Sequence, residues 1–393
     1  MRLLHTADWH LGRSLHGASL LDAQAAVLDQ LVALTAQERP DAVIVAGDVF
    51  DRAYPPLAAV ELYDDAITRL AATGVPVVII SGNHDSAVRL GMNARVAEAA
   101  GVHVRTRLDR IADPIAIEGN GERALIYGVP YLDPPSTAPA LGAAAPTHAG
   151  VLGAALAQIG ADRAQRDDAL AVVVAHGVIA GGASVGPGGD GGGVERPIDV
   201  GGVAAVPRTV FDGLDYVAMG HLHRPQQLGD HVRYSGAPLA FSFDEAGERK
   251  SVALVTLAPG TPPRAELIAT PQARAMARLR GRLEELLHAD EFADAEPAWV
   301  EATLTDRLRP RMAMERLRHR FPHILKLLHE PPSDDAASDG AAASYGARMR
   351  GRSELEVATQ FLADVRGGTG ADERERDLLR DALEAHDRRA ALQ

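Results

Sequence analysis

Five short runs rich in apolar residues each lead straight into a string containing aspartate, asparagine or histidine, and this recurrence constrains the chain more than any other feature. Residues 3–7 lead into DWH, residues 42–46 into GDVFD, and residues 75–80 into GNHD. Residues 170–175 lead into AHG and residues 216–219 into GHLH. Such runs read as strands buried on both faces, because a half-exposed strand would alternate apolar with polar residues. Between the first three, residues 20–37 and 57–72 are amphipathic and long enough for crossover helices. That alternation builds βαβ units, whose ligands gather at the carboxyl ends of the strands. Polar residues far apart in sequence therefore converge. Gly47, Gly82, Gly177 and Gly220 beside them allow sharp turns and close backbone approach.

The strings supply Asp8, His10, Asp48, Asn83, His176, His221 and His223 as candidate metal ligands, and His84 as a candidate acid. The chain has no cysteine, so a soft thiolate site is excluded. Carboxylate, amide and imidazole donors suit octahedral Mn²⁺, Fe²⁺ or Mg²⁺, and also Zn²⁺. Mn²⁺ is the first choice, since several imidazoles make a site nitrogen-rich for Mg²⁺. Two divalent ions about 3.5–4 Å apart would clamp an in-line displacement at phosphorus. Asp48 is the natural bridge between them. His5, one turn of strand before Asp8, reads as buried support. Asp85 either orients a neighbour or caps the next helix. His16, His103, His148, His231, His288, His319, His323, His329 and His386 lie in no motif and read as bystanders.

The five strings, in this order and spacing, resemble the calcineurin-like metallophosphoesterase superfamily. MRLLHTADWHLG, VAGDVFD, SGNHDS, DYVAMGHLHRPQ and VRYSGAPLAFSFDE are similar, more closely, to the SbcD family of bacterial nuclease subunits. The likeness is strong over residues 1–260 and architectural beyond. It implies that Asp8, His10, Asp48 and His223 hold one metal, and that Asp48, Asn83, His176 and His221 hold the other. It also implies that His84 contacts the scissile phosphate and protonates the leaving oxygen; an imidazole, with a pKa of about 6.5 in water, suits that work at neutral pH. Archaeal and eukaryotic relatives carry a histidine near the position of Asp51, where this chain reads Asp51-Arg52 as bacterial members do.

With 393 residues the chain is long enough for two or three domains, and its 46% hydrophobic content fills a sizeable core. No apolar run reaches membrane-spanning length, and the first strand starts at Met1, which leaves no room for a signal peptide. A cytoplasmic protein without disulfides is expected. The net charge of −13 is unlike that of a free-standing DNA-binding protein. Two divalent ions would offset part of it, acidic residues crowd the C-terminal third, and basic clusters remain at residues 274–282 and 307–320. DNA binding is therefore expected to be shared with another subunit. The glycine-rich stretch 177–202 reads as a flexible insertion; it lacks the lysine of a phosphate-binding P-loop, and no other nucleotide motif occurs.

Residues 231–235 and 252–257 read as last strands of the catalytic domain, and residues 259–263 as a linker. From residue 265 the pattern is strand, helix (274–288), strand (299–305), helix (311–320), strand (323–329). Residues 331–351 are small and polar, a linker. Two short helices follow: Ser353 and Glu356 form a capping-box pattern, Gly367-Gly368 can end the first, and residues 371–389 carry a thin leucine stripe. Alone they have too little core, so they should dock onto something.

The expected fold is α/β: a metallophosphoesterase β-sandwich core flanked by helices, a small α+β capping domain and a C-terminal helical pair. The expected domains are a nuclease domain at 1–260, a cap at 264–330, a linker at 331–351, and helices at 352–393. The resemblance implies a Mn²⁺-dependent 3′–5′ double-strand exonuclease and single-strand or hairpin endonuclease. It would act on DNA in replication, recombination and repair, as a homodimer assembled with two SbcC-type, SMC-like ATPase subunits that bind the C-terminal helices. In that family the cap touches the DNA backbone and dimer contacts fall within residues 57–100. A stand-alone small-molecule phosphoesterase and a DNA-end scaffold with a structural metal site are the alternatives.

Overall fold

The computed structural model describes residues 1–119, 121–166, 169–180, 206–332, 353–365 and 370–390. They divide into two compact units, residues 1–332 and residues 333–393. The glycine-rich stretch lies outside the described residues from 181 to 202, and the linker does so from 333 to 351.

The first unit begins with β1 (Arg2–Thr6) and a small hairpin, β2 (Ser14–Leu15) and β3 (Ala18–Ser19). Helix α1 (Leu21–Glu38) crosses to β4 (Ala42–Ala46), and α2 (Leu57–Ala72) crosses to β5 (Val77–Ile80). Two short helices, α3 (Ala87–Leu90) and α4 (Ala94–Glu98), precede β6 (Val102–Arg105). Strands β1, β4, β5 and β6 are mutually parallel, as short crossovers through helices require. The second sheet starts at β7 (Ile115–Gly119) and β8 (Glu122–Gly128), an antiparallel pair. Helices α5 (Pro134–Leu141) and α6 (His148–Arg163) follow. Asp133 caps α5 ahead of Pro134, and Thr147 caps α6. The sheet continues with β9 (Leu170–His176), β10 (Tyr216–Gly220), β11 (Gln226–Leu228) and β12 (Val232–Tyr234). The chain then returns to the first sheet as β13 (Ser251–Ala258) and β14 (Thr261–Ala269).

The sheets have strand orders β14-β13-β1-β4-β5-β6 and β11-β12-β10-β9-β8-β7. They pack face to face through Leu3, Ile44, Val78, Ile126, Val172 and Val255. The outer face of the first sheet is covered by α1 and α2, and that of the second by α5 and α6. The result is the helix-flanked β-sandwich expected from the strand pattern. Both sheets bury both faces, which is why their central strands read as unbroken apolar runs.

Beyond β14, three parallel strands form a separate sheet: β15 (Met276–Gly281), β16 (Trp299–Leu304) and β17 (Ile324–His329). Helices α7 (Leu283–His288) and α8 (Ala313–Arg320) cover one face around Leu286, Val300, Leu317 and Phe321. The other face places Met276, Trp299 and Leu325 against Phe241, Phe243, Leu15 and Leu20 of the sandwich. Two sequence expectations are corrected here. Residues 261–269, read partly as linker and partly as the first strand of the cap, are β14 at the edge of the first sheet, paired with β13. The expected helix 274–288 is strand β15 followed by the short helix α7.

In the second unit, α9 (Glu354–Val365) and α10 (Glu373–Ala390) are in contact. The Ser353–Glu356 capping box is formed, with the Glu356 N–H donating to Ser353 Oγ and the Ser353 N–H to Glu356 Oε2. Asp372 and Glu375 make the same reciprocal pair at the start of α10.

Candidate metal centre

The loops that follow β1, β4 and β5 in one sheet, and β9 and β10 in the other, meet at one edge of the sandwich. Their backbones interlock. The Asp8 N–H donates to the Gly47 carbonyl at 3.0 Å, and the His10 N–H to the Asp48 carbonyl at 2.9 Å. Four of the candidate residues sit at positive φ: Asp8 at 54°, His10 at 44°, Asp48 at 47° and His221 at 102°. Non-glycine residues rarely adopt that region, and at such sites the surrounding structure must hold them there. Two glycines make the convergence possible. A Cβ on Gly82 would lie 2.1 Å from Asp48 Oδ1, and one on Gly220 would lie 1.9 Å from the Ala46 carbonyl oxygen.

The structure brings all eight sequence-selected residues together. Ligand atoms of Asp8, His10 and His223 lie within 4.8 Å of one another, as do those of Asp48, His176 and His221, and those of His10, Asp48 and His84. The Nε2 atoms of His10 and His223 face each other at 3.1 Å. Asn83 Oδ1 lies 2.9 Å from His176 Nε2 and 3.0 Å from His221 Nδ1. Asp48 Oδ2 is buried and accepts no hydrogen bond, although His176 Nε2 is 3.3 Å away and His10 Nε2 3.7 Å. A bare carboxylate oxygen facing imidazole nitrogens is costly unless a cation lies among them. The donor set fits divalent ions held between nitrogen and oxygen ligands.

Backbone carbonyls fix two tautomers, because a carbonyl only accepts. His176 Nδ1–H donates to the Ala46 carbonyl at 2.9 Å, which directs Nε2 into the site. His84 Nδ1–H donates to the Asp51 carbonyl at 2.8 Å, and the His84 N–H donates to Asp48 Oδ1 at 2.9 Å. Asp85 accepts from the backbone N–H groups of Val49, Phe50 and Gly82 at 2.9–3.1 Å, so it pins the Asp48 loop to the Asn83 loop. Burial, then the Asp48 charge, pushes its carboxyl up to about 6 against those three donors. His5 is fully buried between the sheets beside Tyr216 Oη, 2.9 Å from its Nδ1, and is a support residue.

A second layer was given no role in the sequence reading, although Asp51 ends the GDVFD string and Glu245 ends VRYSGAPLAFSFDE. Arg13 pairs with Asp51 at 3.1 Å and lies over the Phe241 ring. The Gln24 amide donates to the His10 carbonyl at 2.6 Å. Glu245 Oε1 lies 3.4 Å from His223 Nδ1, and the buried Lys250 ammonium pairs with Glu245 and with Glu248. Burial alone would raise the Glu245 carboxyl, but His223 and Lys250 together hold it down to about 2. The available signals were the place of Glu245 at the end of VRYSGAPLAFSFDE and the rarity of lysine, Lys250 being one of two in the chain. Of the expected bystanders, His148 lines a cavity that also borders His176.

A helix-flanked β-sandwich with clustered aspartates and histidines at its strand ends defines a phosphoesterase-type metal centre. Residues 1–225 match the calcineurin-like phosphoesterase family, and the chain belongs to it. Residues 272–366 match the C-terminal domain of SbcD proteins, described as the Type 5 capsule protein repressor C-terminal domain, so the chain is SbcD-like. Among solved structures, the Thermus thermophilus protein TT1561 is similar at 14% identity, over 64% of this chain and 92% of that one, with a TM-score of 0.35. Another is 13% identical over 68% of this chain and 99% of its own length, with a TM-score of 0.37. No described helix is long and apolar enough to cross a membrane.

Proposed function

We propose that this chain is the nuclease subunit of an ATPase-coupled complex that processes DNA ends, working with Mn²⁺. The observation that carries the reading is Asp48, whose buried Oδ2 faces imidazoles from both sheets without a hydrogen bond. Asp8, His10, Asp48 and His223 would hold one ion, and Asp48, Asn83, His176 and His221 the other. When bound, such ions supply a water nucleophile and neutralise charge developing on the phosphate. The chain supplies the rest. His84 is held by Asp51 and Asp48 with its ring 4.8 Å from that of His10, and it serves as the acid for the leaving oxygen.

Exposed arginines on the cap, namely Arg307, Arg309, Arg311 and Arg318, favour a polyanionic substrate over a small phosphoester, despite the net charge of −13. The SbcD likeness supports exonuclease and endonuclease action on duplex, single-strand and hairpin ends. It also supports the pairing of α9 and α10 with an SMC-like ATPase. An apolar patch supports a homodimer. Tyr54, Leu57, Val88, Met92 and Val96 are each at least 72% exposed around α2, α3 and α4, and Arg89 stacks on Tyr54 at 4.1 Å.

The test is cleavage of an end-labelled duplex with and without Mn²⁺, comparing the wild type with Asp48→Ala. Mn²⁺-dependent shortening that disappears in the variant is expected. Silence from both proteins, even with the ATPase added, would move a small-molecule phosphoesterase to the front.

A further inference from the structure

We propose that Lys250, acting with Glu245, is the positioning residue that sets His223 for metal binding. The inference rests on the metal-centre reading above. Lys250 is 2% exposed, and no lysine is placed so deeply without a reason that offsets its desolvation. Its ammonium donates to the His223 carbonyl at 3.1 Å and to Glu248 Oε2 at 3.0 Å, and it pairs with Glu245 Oε2 at 2.5 Å. The other oxygen of Glu245 accepts from Ser242 Oγ at 3.2 Å and from the Phe241 N–H at 3.3 Å. That same oxygen faces His223 Nδ1 at 3.4 Å.

One cation therefore grips His223 twice. It holds the backbone directly, and it holds the ring through a carboxylate that is itself held by Lys250, Ser242 and the Phe241 N–H. With Nδ1 turned to Glu245, Nε2 is the nitrogen left to meet the ion, and Nε2 is the atom found 3.1 Å from His10 Nε2. A carboxylate behind a ligating imidazole fixes the tautomer and ring plane, and its loss typically costs about 10–100-fold in metal affinity. The loop 235–245 that carries Glu245 also carries Phe241, whose ring lies 5.2 Å from His10 and 5.6 Å from His223. Lys250 thus ties three things to one point: a ligand's backbone, its ring, and the loop wedged behind both first-site histidines.

The test is calorimetric titration of the full chain with Mn²⁺ alone, using wild type, Glu245→Gln and Lys250→Met. Glu245→Gln keeps the shape and the Ser242 and Phe241 hydrogen bonds, so it stays falsifying even where Lys250→Met folds poorly. The expected result is about 10–100-fold weaker binding of one ion in each variant, with the second ion's affinity retained. A purely structural role would lower the melting temperature and leave both affinities in place, which overturns the proposal. Equal weakening at both ions overturns it too, because Lys250 touches no ligand of the second. If the wild type bound no Mn²⁺, the underlying metal-centre reading would fall, and this proposal with it.

Discussion

At the scale of single residues, function here depends on which atom of each histidine is left over. His176 and His84 donate through Nδ1 to backbone carbonyls, so the remaining nitrogen of each is determined by the main chain. His84 is predicted to be catalytic and not a required ligand. His84→Ala should lower the rate of phosphodiester cleavage by about 10²–10⁴-fold. Metal content, measured by elemental analysis of the purified protein, should stay the same; loss of an ion in the variant would reassign the residue. His5 gives a different kind of prediction. Burial, chiefly, with the nearby Arg233 charge, lowers its pKa from 6.5 to about 3. The ring is therefore neutral in the folded protein and charges only on unfolding. Below pH 6.5 the unfolded chain binds one more proton, so stability falls as pH falls, by up to about 1.4 kcal/mol per unit until about pH 3. In His5→Gln, urea unfolding between pH 7 and 5 should show a shallower decline, whatever the variant's absolute stability. Parallel curves would contradict a buried neutral His5. The ligand strings were legible in the sequence because each sits directly after a buried strand. The roles of Glu245 and Arg13 were not, although Glu245 ends a quoted string, because they come from contacts that no local spacing encodes.

At the scale of elements, the same distinction explains which segments could be read in advance. Helices α1 and α2 and the five motif strands follow from apolar periodicity alone, and the structure places them within one or two residues of the expected ranges. Strand β14 did not, because Pro262 and Pro263 near its start resemble a linker. It lies at the sheet edge, and its two prolines fall where the β13–β14 register is interrupted between Thr256 and Ala258, so their missing N–H groups break no paired position. Strand β15 was hidden by its arginines: Leu279 is buried between exposed Arg278 and Arg280, a period of two that the helical reading passed over. This strand matters because its sheet rests on the loop that backs the metal centre. Phe241 is 2% exposed and sits in the cluster joining that loop to Met276 and Trp299. Phe241→Ala should therefore cost about 3–5 kcal/mol, and Phe241→Leu clearly less. Scanning calorimetry of the pair would settle it; an Ala variant within about 1 kcal/mol of wild type would mean that the cluster collapses around the missing ring.

At the scale of the whole molecule, the candidate metal site and the terminal helices fall in different units. The metal centre, its second layer and the cap all fall in the unit ending at residue 332, and none of the candidate ligands lies beyond it. The match to the SbcD C-terminal domain runs from 272 to 366, across the end of that unit and through α9. Yet α9 and α10 between them expose Phe361 and Leu378 at 56% and 62%, apolar side chains that the helical pair does not bury by itself. The proposed pairing with an ATPase would draw on these two side chains. A chain ending at Pro332 should accordingly keep the thermal transition of the sandwich and its Mn²⁺-dependent cleavage of a labelled duplex within about twofold, while losing co-purification with the ATPase. Replacing Phe361 and Leu378 by serine in the full-length chain should reproduce the second effect without the first. The two sets of measurements separate the possible roles. Weakened ATPase binding with intact cleavage assigns the helices to recruitment, because the active site never needed them. A truncated chain that fails to fold, or that folds and no longer cleaves, would show instead that the helices complete the catalytic unit.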